Sequence, residues 1–214
     1  GRSIFNNFVK FLRYQISCNI SGVLIMFPIT ALNFPAPLLP VHILLLNLVS
    51  ETGPSIALGL EKPEKTVMAT KPRVKGERLL TRSRWYRIIV EALLLAGAGV
   101  AIFFIVRRTD EHLATTAVLV TAFLSRLWHA FSSRSEHLSA FSSALVPNQG
   151  LYFAVVGTLG FLVLSVYTRI GNTIFKTEPL GLGFFLWCVG LSLMPLALIE
   201  LYKLFASKEK GTSD

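Results

Sequence analysis

The stretch LLLNLVSETGPSIALG, Leu44–Gly59, decides how this chain is read. It is apolar at both ends and interrupted by Asn47, Ser50, Glu51, Thr52 and the pair Gly53–Pro54. An ionisable residue inside such a run is costly and marks a functional site by default. The Gly-Pro pair falls where a helix must break if backbone carbonyls are to be exposed. The stretch reads as the floor of a cation site in a membrane transporter. The plainer alternative is a kinked membrane helix with polar packing residues.

The rest of the chain places that stretch in a membrane. Of 214 residues, 52% are hydrophobic and only 15% charged, too apolar for a soluble domain with an ordinary surface. Several runs approach or exceed the ~18 to 20 apolar residues that span a bilayer as a helix. The expected fold is an all-α membrane protein, a bundle of six transmembrane helices over about 14–32, 38–58, 85–106, 113–132, 151–167 and 180–205. Residues 1–13 have helical period and carry Lys10 and Arg13, so they are expected to extend the first helix as a stalk. Residues 59–84 form a long basic loop and 206–214 a charged tail.

Charge gives the sidedness. With the N-terminus in the cytoplasm, sixteen Lys and Arg fall on the inner side and four, Arg107, Arg108, Arg169 and Lys176, on the outer. The excess predicts that both termini are cytoplasmic. The net charge of +9 is then topological and does not imply nucleic acid. The basic loop is expected to touch anionic lipid or a cytoplasmic domain. Cys18 and Cys188 lie far apart in apolar runs, without a disulfide framework or metal-ligand spacing. The opening GRSIFNNFVKFLRYQ has no signal-peptide pattern and begins with Gly, as a fragment or processed product would. No Gly-rich phosphate loop, His/Cys cluster or nucleophile–base pair is present in the sequence, and no internal repeat supports a secondary transporter. Ala92, Ala96 and Gly99 read as a small-residue packing face.

The polar residues at membrane depth form the candidate site. Asn47, Ser50 and Glu51 stand at i, i+3 and i+4, one face of an α-helix. Pro54 has no N–H, so the carbonyl of Ser50 loses its helical partner. Carboxylate, hydroxyl, amide and freed carbonyl make an all-oxygen set suited to hard cations. On the first helix, Asn19 is the candidate to face this set; the alternative is a simple interhelical hydrogen bond. Arg126 lies mid-span in TAFLSRLWHAF and needs a partner. Glu51 is the acid nearest mid-membrane, so an Arg126–Glu51 pair is expected; the alternative has Arg126 facing water or snorkelling. Glu91 and Glu200 lie nearer span ends and read as snorkelling or capping charges, and His129 as a packing or hydrogen-bonding residue.

These residues resemble a known family. GRSIFNNFVKFLRYQISCNISGVL is similar to the fifth membrane helix of P-type cation-transporting ATPases of the calcium-pump branch. LLLNLVSETGPSIALGLEKPEKTVMATKPR is similar to their sixth helix and following loop, and RSEHLSAF resembles the end of their eighth. The likeness covers the whole chain as helices five to ten of a ten-helix membrane domain. It implies cation transport by alternating access, driven by ATP hydrolysis through a phosphorylated aspartate. The DKTGT phosphorylation motif is absent from this sequence. Helices one to four, the nucleotide-binding and actuator domains, and ATP with Mg²⁺ would belong to other parts of the pump, so this chain alone is expected to lack ATPase activity and to hold no cofactor of its own. The resemblance implies Asn19, Asn47, Ser50 and Glu51 as ligands of a transported cation.

Three departures qualify that implication. The family's fifth-helix Glu falls at Gly22; its sixth-helix Asp and Gly-Leu-Pro are Glu51 and Thr52–Gly53–Pro54; its eighth-helix acidic or amide ligand falls at Arg126. A built-in guanidinium can take the place of one ion, so the expected cargo is a single divalent cation, or a proton or monovalent ion. The competing readings are a stand-alone membrane scaffold or regulatory subunit, and a degenerate, non-transporting pump fragment. The expected location is a multi-pass protein of the plasma or inner membrane, surrounded by lipid.

Overall fold

A computed structural model describes residues 2–62, 79–136, 138–140, 142 and 145–211, without side chains for 2 and 206–211. The centre of the basic loop and the last residues of the tail, on which docking and charge expectations were placed, lie outside the described residues.

The described residues are helical, and six helices are long and apolar enough to cross a membrane. The first, α1, runs unbroken over Arg2–Ala31 with Pro28 inside it. Asn33 follows with φ of 60°, the left-handed turn that an Asn tolerates. The second crossing, Pro40–Gly59, has three parts: α2 (Pro40–Leu45), a π-helical turn over Leu46–Glu51, and α3 (Thr52–Gly59). Pro40 opens it in the first turn, where no N–H is needed. Next come α4 (Arg82–Arg107), capped by Thr81, and α5 (Glu111–Ser132), capped by Asp110 Oδ1, which accepts from the amides of His112 and Leu113 at 2.9 and 3.2 Å. Asn148 caps α6 (Gln149–Tyr167), accepting from Leu151 N at 3.0 Å.

A short helix, α7 (Arg169–Phe175), lies between the fifth and sixth crossings, outside the expected spans. Thr168 caps it, its hydroxyl accepting from Gly171 N at 3.0 Å. The last crossing, α8 (Leu182–Gly211), continues past its apolar part. The end of α5 at Ser132 leaves residues 134–136 and 138–140 in the connecting loop, whereas the resemblance put RSEHLSAF at a helix end.

The helix α5 is the hub. It is buried along most of its length, with α4 and α8 against one side and the broken second crossing against another; α1 packs on α4 and α3, and α6 on α3. Small residues allow the closest approach, as expected: Ala92 and Ala96 are buried, and a Cβ on Gly99 would stand 2.7 Å from Ile25 Cδ1. Outward faces carry exposed Val23, Phe27, Phe153, Val156, Leu186 and Trp187. Such a surface is compatible with lipid and unfavourable in water.

Candidate functional site

The helix break is where the site begins. In a π-helical turn hydrogen bonds run from i to i+5, and the burial of each side chain has to be read from the packing. Ser50 and Glu51 are turned inward and buried, while Asn47 is exposed. The predicted shared face therefore reduces to two residues. The Ser50 hydroxyl donates to Leu46 O at 2.7 Å, so it serves its own helix. The Ser50 carbonyl, which Pro54 cannot serve, accepts from the Tyr14 hydroxyl at 3.4 Å.

Helix α1 presents Tyr14, Cys18 and Gly22 at i, i+4 and i+8, one face of the helix. Asn19 lies off that face and is exposed; it does not meet Glu51. Gln15 does. Its Nε2 donates to Glu51 Oε2 at 2.7 Å, and its Oε1 accepts from Ser55 Oγ at 2.7 Å. Sequence reasoning passed over both residues. The available signal was an amide one turn before Asn19 on the same helix, and a hydroxyl four residues after Glu51, hence on the same helical face.

Helix α5 supplies the charge. Arg126 Nε lies 3.2 Å from Glu51 Oε1, with the two side chains 3% and 0% exposed. Arg126 Nη2 donates to Cys18 O at 3.1 Å. A Cβ on Gly22 would come within 3.4 Å of that same nitrogen, so the guanidinium fills the space beside the glycine. The pair is close but poorly aligned: Glu51 Oε1 and Arg126 Nε and Nη1 have no hydrogen-bond partner among the described residues. Charge is balanced here, and hydrogen bonding is incomplete.

Two further charge clusters tie α1 to its neighbours. Arg13 forks onto Glu91, Nε donating to Oε2 at 3.0 Å and Nη2 lying 2.9 Å from Oε1. Its Nη2 and Nη1 also donate to the carbonyls of Ser132 and Ser135 at 3.4 and 3.5 Å. Glu91 is 1% exposed, which corrects its reading as a snorkelling charge. Glu200 is likewise buried: Oε1 accepts from Ser132 Oγ and Lys203 Nζ at 2.7 and 2.8 Å, and Oε2 from Ala140 N at 2.9 Å. His129 holds position between the two regions, its Nε2 2.8 Å from Ser17 Oγ and its ring stacked 5.7 Å from Tyr14. In the third cluster, Glu61 meets Lys10 at 3.3 Å and Arg134 at 2.5 Å, while Asn7 donates to Glu61 O at 2.6 Å. The polar side of the predicted stalk is thus buried against the bundle. Among the described residues no group of three or more His, Cys, Asp or Glu is placed to hold a metal.

Fold and site together define an integral membrane helical bundle built around a carboxylate at a broken helix, faced by an arginine from the central helix. The family model for "Cation transporting ATPase, C-terminus" matches residues 35–205. This chain belongs to that family, in its C-terminal membrane region. It is 34% identical over 202 residues to a calcium-transporting ATPase of Bacillus subtilis (strain 168), covering 93% of this chain and 23% of the relative. It is 33% identical over 223 residues to calcium-transporting ATPase 1 of Bacillus cereus (strain ATCC 10987 / NRS 248), covering 95% and 25%. It is 29% identical over 207 residues to calcium-transporting ATPase type 2C member 1 of Homo sapiens, covering 95% and 22%. The chain thus spans about a quarter of the length of these relatives.

Proposed function

We propose that this chain is the transport half of an ATP-driven cation pump, and that Glu51 is its central cation-binding residue. The observation that carries this reading is the buried carboxylate at the π-helical break, with Arg126 at 3.2 Å. A charge pair in a membrane interior is costly and is retained for function by default. A broken helix supplies carbonyl oxygens without leaving the bilayer.

The relatives' names describe calcium transport, and a divalent cation is the cargo that this reading favours. Arg126 stands where a second ion's positive charge would otherwise balance the site, so one cation per cycle is expected. Ser50 can offer its hydroxyl oxygen, whose proton is donated to Leu46 O while its lone pairs remain, and its carbonyl, which shares a 3.4 Å hydrogen bond with Tyr14. Asn19 and Asn47, both exposed on this chain, are candidate ligands only toward segments outside it: helices one to four of the same pump. The nucleotide-binding parts, with ATP and Mg²⁺, would also lie outside this chain. Residues 1–13 would couple those parts to the bundle 14–205, with both termini and the tail 206–214 in the cytoplasm.

The test is ATP hydrolysis by the full-length protein, titrated separately with Ca²⁺, Mn²⁺, Na⁺, K⁺ and pH. Activation by one divalent cation per cycle supports the reading; activation by pH alone identifies a proton as cargo. Two calcium ions per cycle would contradict the role given to Arg126. No cation dependence at all would favour the scaffold or degenerate alternative.

A further inference from the structure

We propose that Gln15 is a switchable ligand of the transported cation, donating its amide N–H to Glu51 in the cation-free site and presenting its amide oxygen when the cation is bound, with Ser55 as the positioning residue that supports both states. The inference deepens the transport reading and rests on it.

The geometry is specific. Gln15 Nε2 is 2.7 Å from Glu51 Oε2, and Gln15 Oε1 is 2.7 Å from Ser55 Oγ. Arg126 lies beside the other carboxylate oxygen at 3.2 Å. Both sides of Glu51 therefore face donors. A hard cation needs oxygen ligands, and an amide NH₂ aimed at the same carboxylate repels it. The terminal torsion of Gln is broad and roughly two-fold. A half-turn there exchanges nitrogen and oxygen without moving the backbone. The amide oxygen then faces Glu51 and completes an oxygen pair around a cation.

Ser55 is what makes the exchange cheap. A hydroxyl carries one donor and two acceptor lone pairs. It donates to the amide oxygen in the present arrangement, and it can accept from the amide NH₂ after the half-turn. The Ser55 side chain is buried (3% exposed) and so is not free to find water instead. The same exchange serves a proton: a neutral Glu51 carboxyl donates, and needs an oxygen opposite it. Gln15 thus answers to a hard, oxygen-seeking charge, and the arms of the test separate metal from proton.

The experiment is cation-activated ATP hydrolysis by the full-length protein, with Ca²⁺, Mn²⁺ and pH titrated in separate arms. The parent must show cation dependence; its absence would overturn the transport reading, and this inference with it. Given that dependence, Gln15→Leu is expected to raise the half-activating concentration roughly tenfold or more, the usual cost of losing a ligand or its support. If pH alone activates, the same variant displaces the pH profile. Gln15→Glu retains an oxygen and is expected to stay near or below the parental value. Ser55→Ala is expected to weaken activation by a smaller factor, and Ser55→Thr to restore it. Parental half-activation in Gln15→Leu, or equal weakening in Gln15→Leu and Gln15→Glu, overturns the proposal. If Gln15→Leu does not fold, Ser55→Ala decides: parental half-activation overturns the proposal, and weaker activation rescued by Ser55→Thr supports it.

Discussion

Two buried arginine–glutamate pairs lie in this bundle, one between α1 and α4 and one between α5 and the π-helical turn, and they are built differently. In the Arg13–Glu91 pair every nitrogen of Arg13 has an acceptor, the carbonyls of Ser132 and Ser135 included, although Glu91 Oε1 has no hydrogen-bond partner among the described residues. Arg126 and Glu51 are as deeply buried, yet two guanidinium nitrogens and one carboxylate oxygen lack hydrogen-bond partners among the described residues. A guanidinium with an acceptor for every nitrogen is fixed in place. A pair held by charge with incomplete hydrogen bonding loses little when it rearranges. The first pair is a rivet between α1 and α4; the second is suited to exchange a guanidinium for a cation. Burial and charge are alike in the two pairs; what differs is how many guanidinium nitrogens find an acceptor.

The comparison breaks most visibly at the rivet. Arg13→Ala removes the nearest cation from buried Glu91, leaving Arg87 Nε at 3.8 Å, and is expected to destabilise by up to about 3–5 kcal/mol. Thermal unfolding in detergent would show it as a lower Tm. The double variant Arg13→Met with Glu91→Leu should recover most of the loss, because apolar replacement of a whole pair is often neutral. A double variant as unstable as Arg13→Ala would contradict the rivet role.

Tyr14 connects the two regions, stacking on His129 and donating to the Ser50 carbonyl. Tyr14→Phe keeps the ring and removes one long hydrogen bond, so a loss of about 0.5–1.5 kcal/mol is expected. Its informative readout is cation activation: a shift there would show that the freed carbonyl belongs to the site. An unchanged activation curve would confine Tyr14 to packing.

The smallest effect lies outside the bilayer core, at Arg84 and Glu136, 3.0 Å apart with both side chains about a fifth exposed. Burial raises the Glu136 carboxyl, but the Arg84 hydrogen bond and charge outweigh it and hold the group below its ordinary value. A depressed carboxyl stabilises above its unfolded pKa and loses that contribution as pH falls through the folded one. Glu136→Gln should therefore flatten the acid side of the stability profile, by no more than about 1 kcal/mol for so exposed a pair. A steeper acid limb in the variant than in the parent would reverse the assignment.

The six crossings were legible because a bilayer demands long apolar runs. Arg169–Phe175 escaped because one polar helix of seven residues looks like a turn unless Thr168 is read as its cap. Arg126 and Glu51 could be paired from sequence because each was stranded at mid-membrane. Arg13, Glu91 and Glu200 could not be placed, because distance from a span end gives depth and not the direction a side chain faces. Asn47 was assigned to the same face as Ser50 and Glu51 by α-helical spacing, and it is exposed on this chain while they are buried. Asn19 and Gln15 stand one turn apart on α1; only the packing of α3 shows that Gln15 is the one that meets Glu51.

Equilibrium cation binding to the full-length protein, parent beside Arg126→Ala, tests the central claim most directly. One site in the parent is expected, with an affinity shifted roughly tenfold or more in the variant once the intramolecular cation is gone. Two sites in the parent, or superimposable isotherms, would contradict it.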